Sequence, residues 1–493
     1  MGDRRHHRGR DHRRRVAPGA WHASPGRDSR LSPGRAWALG RGPCAQPVHR
    51  RVLRRDGDFV LRVHVARLRR GPQFRRARDR RELRFRNGSR EVRARRVCGV
   101  EAVGGCFARR LWSRIAVSLV KSVIPPLAWP ALIATAYYLL VIAATIRWRG
   151  RSADPARPFT PPVSILKPVR GRDPRFYQAI RSHATLDYPE YEVLFGVQDP
   201  CDPALDDIRR LITEFPGGRL RIVMANPSMP NAKVGVLADL AREAKYETLL
   251  VNDGDIAVDP DYLRQVIAPL ADPAIGVVTC LYRARASNLP TLWEAIGIAT
   301  DFTAGVLVAP LAGIGEFALG STMAFRAEDL RRIGGFAAVG DYLADDYQLG
   351  SRITALGKHV VLSSVVVETN LSGTTWGDVW RHQLRWSRTI RVSRTAGYYG
   401  YVVTQAAVWA AAAACAGAWW IAAAAVAIRT IAGLAVGYGV LKDSQVVRWF
   451  FLIPLRDLWG FGVWLRGLTG DSVDWRGDVL RLSRDGKIAP RTR

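Results

Sequence analysis

Lysine is missing from the first 115 residues, which hold 33 arginines against nine acidic residues. This stretch carries a surplus of 24 positive charges out of a formal net charge of +31, so the remaining 378 residues hold only +7. A nucleic-acid partner is therefore not expected from charge, and +7 suits a protein resting against anionic headgroups. Cysteine is sparse as well. Cys44, Cys98, Cys106, Cys201, Cys280 and Cys415 form no CxxC pair and join no histidine at metal-ligand spacing, which argues against a zinc site and a disulfide framework. Isolated cysteines in strand and membrane-helix patterns read as small buried hydrophobes of a reduced compartment, so the soluble part is expected in the cytosol. Phosphate-binding glycine motifs are lacking too. There is no Walker A sequence, and Gly313 with Gly315 do not continue into GxGxxG after a strand, so ATP and dinucleotide binding lack support.

Residues 1–115 also lack any sustained apolar run or steady period, and their paired arginines precede no apolar h-region, which excludes a twin-arginine signal. Three accounts stay open for them: an untranslated or wrong-frame stretch of a GC-rich gene, a disordered basic tail, or a small domain. Residues 127–146, LAWPALIATAYYLLVIAATI, then supply about 20 apolar residues, the length that crosses a bilayer. A transmembrane helix is expected over 124–147, and the RWRGR that follows places the next domain in the cytoplasm by the positive-inside bias. Two or three further membrane helices are expected over 401–466. Arg456 and Asp457 lie inside the last apolar segment, where they must pair or face a polar cavity. Residues 467–493 read as a cytosolic tail.

Between the apolar regions, residues 160–372 alternate strand-like and helix-like stretches. VSILKPV, YEVLFGVQ, LRIVMA, TLLVNDGD and IGVVTCLY read as strands, and FYQAIRSHA, ALDDIRRLITEF and VGVLADLAREA as the helices between the first four. The pattern predicts an α/β domain with a mostly parallel sheet, in which ligands bind beyond the carboxyl ends of the strands. Polar residues at such ends are Lys167, Asp199, and Asp253 with Asp255. The last two, in VNDGD, form a DxD that could hold Mg²⁺ or Mn²⁺ against a diphosphate, although a DxD alone is more often a solvated turn. Asp345 and Asp346 open an amphipathic helix, where they either cap it or supply a general base. WRHQLRWSRTIRVSR, within 373–398, reads as an amphipathic interfacial helix.

The order ILKP, VQD, NDGD, GSTMAFR, ADDY and LRW resembles the family 2-type glycosyltransferases of GT-A fold, within them the ceramide glucosyltransferases and the bacterial hopanoid-associated glycosyltransferases. The resemblance covers about residues 162–394. It implies a Rossmann-like GT-A domain and a nucleotide-sugar site made of Asp199, Lys233, Asp253, Asp255, His382, Arg385 and Trp386. It further implies a divalent cation, Mg²⁺ or Mn²⁺, on Asp253 and Asp255, and Asp346 as catalytic base. Ser321, Thr322, Met323 and Asp345 fall on the acceptor side. His382 departs from the pattern, which has Gln or Arg there. The implied reaction moves a hexose or N-acetylhexosamine, with inversion, from UDP-glucose or UDP-N-acetylglucosamine to a membrane lipid such as a hopanoid polyol or ceramide. The implied location is the bacterial inner membrane, with the catalytic domain cytoplasmic. A processive polysaccharide synthase shares these motifs but needs a longer channel and usually Gln at 382. A non-catalytic membrane scaffold, or a nucleic-acid binder resting on residues 1–115, are the alternatives of another kind.

Overall fold

The computed structural model describes residues 124–150, 159–371, 375–475 and 477–489. The arginine-rich segment 1–115 lies outside the described residues. The α/β domain is built on a seven-stranded sheet of order β3-β2-β1-β4-β6-β5-β7. The strands are β1 Val163–Val169, β2 Tyr191–Val197, β3 Leu220–Met224, β4 Thr248–Val251, β5 Ile275–Arg285, β6 Met323–Arg326 and β7 His359–Asn370. Only β6 runs against the rest. This is the mostly parallel α/β architecture that the sequence predicted.

Both faces of the sheet are covered, which explains why its central strands read as near-continuous apolar runs. On β1, Val163 and Ile165 pack on one side with Phe176, Ile180, Leu205 and Ile208 from the helices Phe176–Ala184 and Ala204–Glu214. Leu166 faces the other side, with Val234 and Leu237 of helix Ala232–Glu243 and Leu349 and Ile353 of helix Asp345–Thr354. Two strands were not foreseen. β6 has only four residues, and β7, with its run of β-branched residues, follows helix Asp345–Thr354.

Among the described residues, three helices are long and apolar enough to cross a membrane: Pro126–Arg149, Leu289–Ala312 and Trp419–Gly437. Those of 24 residues span about 36 Å at 1.5 Å per residue, more than the hydrocarbon thickness. The first, Pro126–Arg149, covers most of the stretch 124–147. Leu289–Ala312 lies within the stretch read as soluble, and 61% of its most apolar window is buried against the rest of the chain, compared with 33% for Pro126–Arg149. It is thus an inner layer: Leu292, Ile296 and Ala299 pack with Ala134, Tyr138 and Val141 of the first apolar helix, and with Ala432 and Val436 of the third. The shorter apolar helix Ala406–Cys415 and helix Leu452–Gly467 complete the bundle.

Arg456 and Asp457 do pair. Arg429 is fully buried and meets Asp457 at 2.9 Å and Asp301, while Arg456 meets Asp301 at 3.2 Å. The guanidinium of Arg429 also stands 4.7 Å from the centre of the Tyr138 ring. Two arginines against two aspartates balance within this cluster, which is the condition for burying any of them. Helix Trp376–Ser393 crosses this bundle, and its Arg388 donates to the carbonyl oxygen of Thr469 at 3.2 Å, just beyond helix Leu452–Gly467. That arginine is engaged with backbone rather than spread toward headgroups. The segment after 467 forms a hairpin, Ser472–Trp475 with Asp478–Arg481, whose Val473 packs with Leu343, Leu482 and Ile488.

Candidate active site

The site forms along the sheet edge where β2 and β4 end and β6 begins. β1 carries Lys167, which lies within the strand and is fully buried rather than standing at its end. Its Nζ donates to Oδ1 of Asn252 at 2.8 Å and to the carbonyl oxygen of Asp253 at 2.9 Å, so a charge inside the sheet props the DxD turn from below. Burial lowers the Lys167 pKa to about 7, against the opposing pull of Asp255 and Asp253. Asn252 extends the brace by donating to the carbonyl oxygen of Ser321 at 2.6 Å. The loop entering β6 is thereby tied to the end of β4.

Lys233 arrives from another direction. Asn231 caps helix Ala232–Glu243 by accepting from the backbone N–H of Val234 at 3.2 Å, and this holds Lys233 in the first turn. Its Nζ lies 2.8 Å from Oδ1 of Asp253 and 3.4 Å from Oδ2 of Asp345. Burial alone would lower its pKa, but Asp253, Asp345 and Asp346 together hold it above an ordinary lysine. Asp346 opens helix Asp345–Thr354 and accepts backbone hydrogen bonds from Gly320 at 3.0 Å and Tyr347 at 2.7 Å. Burial, reinforced by Asp345 and opposed by Lys233, raises the Asp346 pKa to about 6.

The meeting point is Gly320. A methyl group placed there would stand 3.3 Å from Oδ2 of Asp253, 3.5 Å from Oδ2 of Asp346 and 3.5 Å from Nζ of Lys233. Three chemistry-bearing groups from β4 and two different helices thus surround one backbone position without a side chain of its own.

The other expected residues divide. Asp255 is half-buried and turned toward β7, where Thr369 donates to its carboxylate; desolvation and then Asp253 raise its pKa. Asp199 follows β2 on the same sheet edge and accepts from the backbone N–H of Cys201 at 2.8 Å, an exposed turn with β1 between it and β4. Ser321, Thr322 and Met323 are buried: Ser321 donates to the carbonyl oxygen of Cys280 at 3.1 Å, Thr322 meets the Tyr262 hydroxyl at 2.9 Å, and Met323 lies in the core. Those three side chains therefore shape the loop from inside and present no surface to an acceptor. Asp345 is likewise buried, as the second partner of Lys233. His382 contacts Glu294, and its ring lies 4.6 Å from that of Trp386 on the same helix as Arg385. Among the described residues, no group of three or more His, Cys, Asp and Glu is arranged to hold a metal ion.

Gly320, Asn252, Glu294 and Tyr282 were not foreseen. Tyr282 of β5 is half-buried within reach of the Asp346, Glu294 and Asp253 charges; desolvation first, then those carboxylates, raises its pKa. For Glu294 a signal existed, since a carboxylate inside LPTLWEAIGIATDF is out of place unless it has a partner. For Gly320 and Asn252 there was none, because their importance lies in contacts between segments far apart in the chain.

The profile of glycosyl transferase family 21 matches residues 127–488. Ceramide glucosyltransferase 1 of Caenorhabditis elegans is 22% identical over 347 residues, covering 67% of this chain and 74% of that protein. Ceramide glucosyltransferase of Komagataella phaffii is 28% identical over 141 residues, 26% of this chain and 28% of that one. Among solved structures, the mannosyltransferase PcManGT from Pyrobaculum calidifontis, in complex with GDP-Man and Mn²⁺, has a TM-score of 0.42 and 21% identity, covering 69% of this chain and 99% of its own. A profile that begins in the first apolar helix and ends beyond the final hairpin takes in nearly every described element, and by that match the chain belongs to glycosyl transferase family 21, as a glycosyltransferase of ceramide glucosyltransferase-like kind.

Proposed function

We propose that this glycosyltransferase moves a hexose or N-acetylhexosamine from a UDP-sugar to a hydroxyl of a membrane lipid, inverting the anomeric centre. The observation that carries the reading is the gathering of Asp253, Lys233 and Asp346 around Gly320, next to a domain layer that packs directly on apolar helices. Asp346 is the base that takes the proton of the attacking hydroxyl. Its backbone hydrogen bonds from Gly320 and Tyr347 fix the carboxylate, and burial makes it basic enough for the task. Lys233 balances the negative charge of the diphosphate, with Arg385 and Trp386 closing from helix Trp376–Ser393. Asp199 holds the nucleoside at the end of β2. The reading favours UDP-glucose or UDP-N-acetylglucosamine as donor, a hopanoid polyol or ceramide as acceptor, and a bacterial inner membrane with the catalytic domain on its cytoplasmic side.

Asp253 and Asp255 suit a hard divalent cation, since both offer carboxylate oxygens and Oδ2 of Asp253 lies outside its 2.8 Å pair with Lys233. Mg²⁺ or Mn²⁺ held there would neutralise the leaving diphosphate. Diphosphate oxygens and water would supply its remaining ligands.

Membranes containing the protein, incubated with each labelled donor and each lipid, are expected to yield a β-linked glycolipid; an α-linked product would overturn inversion, and product formed without lipid would overturn the acceptor. The raised pKa of Asp346 has a consequence for rate. A base works only when deprotonated, so kcat/KM is expected to be full above about pH 6 and to fall with acidification through that value. A pH profile flat down to pH 4.5 would show that Asp346 is not the base.

A further inference from the structure

The first apolar helix ends in Arg147, Trp148 and Arg149, and two cavities meet at Trp148. The larger, of about 390 Å³, is lined by Arg149, Arg283, Asp259, Ser364 and the turn 439–442, which brings Lys442. Its volume suits a small-molecule ligand, and three cationic side chains there face one carboxylate. Arg283 is taken up by Glu368 at 3.1 Å and by the carbonyl oxygen of Leu441 at 3.3 Å. Glu368 also pairs with Arg285 at 2.8 Å, so one carboxylate serves two guanidiniums. Asp443 is engaged in capping helix Ser444–Arg448, where it accepts from the backbone N–H of Gln445 at 2.9 Å. Arg149 and Lys442 are exposed, and neither forms an ion pair among the described residues. Lys442 is moreover held at φ 56°, a left-handed conformation that glycine adopts freely and lysine does not. The turn thus carries a charge where the backbone alone would favour glycine. The smaller cavity, of about 70 Å³, is apolar apart from Arg147, with Val306, Leu307, Leu311 and Leu362 on its walls. Trp148, shared by both, is the residue type that sits where hydrocarbon meets headgroup.

We propose that the larger cavity binds the headgroup of an anionic phospholipid, with Arg149 and Lys442 on its phosphate and a stretch of acyl chain in the apolar cleft beyond Trp148. A phosphate diester offers acceptor oxygens and a charge that arginine and lysine both bind, and basic pockets beside membrane helices hold anionic headgroups in this way. An uncharged lipid makes no use of the two cations, and a soluble phosphate makes none of the cleft. The site is distinct from the cluster around Gly320 and does not rest on the choice of donor or acceptor. Its wall nevertheless continues toward the DxD turn, because Glu368 and Ala257, two residues past Asp255, exchange backbone hydrogen bonds at 2.8 and 3.1 Å. A lipid seated there joins the end of the first apolar helix to β5 and β7 on that side of the catalytic domain.

The test titrates detergent-purified full-length protein with phosphatidylglycerol, with phosphatidylcholine of the same acyl chains and with glycerol 3-phosphate, counting bound molecules by native mass spectrometry. One phosphatidylglycerol per chain is expected to be retained, while phosphatidylcholine and glycerol 3-phosphate are lost. Arg149→Gln and Lys442→Gly are each expected to weaken phosphatidylglycerol about fivefold, and the pair about thirtyfold, the scale of one and two cations against an anionic lipid. Arg448→Gln is expected to change nothing, since that exposed arginine lies outside the cavity, over the Trp449 ring. Without lipid, Lys442→Gly should melt no lower than the wild type, because glycine accepts the turn; Arg149→Gln, at an exposed helix end, carries the test by itself. Equal retention of phosphatidylcholine would overturn the proposal, as would an equal loss in Arg448→Gln. Glycerol 3-phosphate bound as tightly as the lipid would make the cavity a soluble phosphate site, and displacement of phosphatidylglycerol by uncharged ceramide would make it part of the acceptor path; either result overturns the assignment.

Discussion

Asp346→Asn is expected to lower kcat by at least about 10², within the range general-base catalysis contributes. The substitution keeps size and shape but removes the proton acceptor. Asparagine still offers one oxygen to the N–H of Gly320 or Tyr347, which now donate to separate oxygens of the carboxylate, so one of the two bonds is lost. That local loss is worth about 1 kcal/mol and leaves the helix start in place. The measurement is kcat for glycolipid formation together with UDP affinity in the same preparation. Near-normal turnover would refute the assignment, whereas a parallel loss of UDP binding would point to disruption rather than chemistry. The acid limb near pH 6 should vanish from whatever activity remains, because the group that titrates there is gone.

Asp253→Ala is expected to be more damaging, on the order of 10³-fold or beyond, because a cation ligand on a leaving diphosphate supplies several kcal/mol. Asp253 also holds Lys233 at 2.8 Å, and its loss leaves that lysine with Asp345 at 3.4 Å. The lysine thus keeps a partner, and the pocket is expected to remain folded with one negative charge fewer. Turnover of the wild type should stop in excess chelator and return with added Mg²⁺ or Mn²⁺. Activity in Asp253→Ala that persists unchanged in chelator would place the cation elsewhere or remove it from the reaction. Asp255→Ala separates the two carboxylates. Its side chain accepts from Thr369 of β7, so a smaller loss than for Asp253 is expected, accompanied by loosening between the DxD turn and β7.

Much of the frame was legible because it rests on local patterns. Near-continuous apolar runs of four to eight residues gave strands β1 to β5, and amphipathic spacing gave the helices between the first four. A 20-residue apolar run gave the first membrane-length helix. Motif order gave Asp253, Lys233 and Asp346 as candidates. Helix Leu289–Ala312 was missed because Glu294, Thr300 and Asp301 interrupt its apolar run, and the two acidic interruptions are compensated by partners in other segments: His382 for Glu294, Arg429 and Arg456 for Asp301. The buried placement of Ser321, Thr322 and Met323 was equally hidden. A motif marks which stretch approaches the site, and the orientation of its side chains depends on β6 running antiparallel between β4 and β5.

By itself the sequence determined the fold class, the apolar anchor and the identity of the acidic residues, since periodicity and residue chemistry act over a few turns of chain. Tertiary structure alone decided that Gly320 is the point where Asp253, Asp346 and Lys233 meet, that Lys167 braces the DxD turn from inside the sheet, and that Glu294 faces His382. Those are pairings between residues up to about ninety positions apart, and Coulomb attraction, burial and hydrogen bonding select them only once the sheet order has brought their segments together.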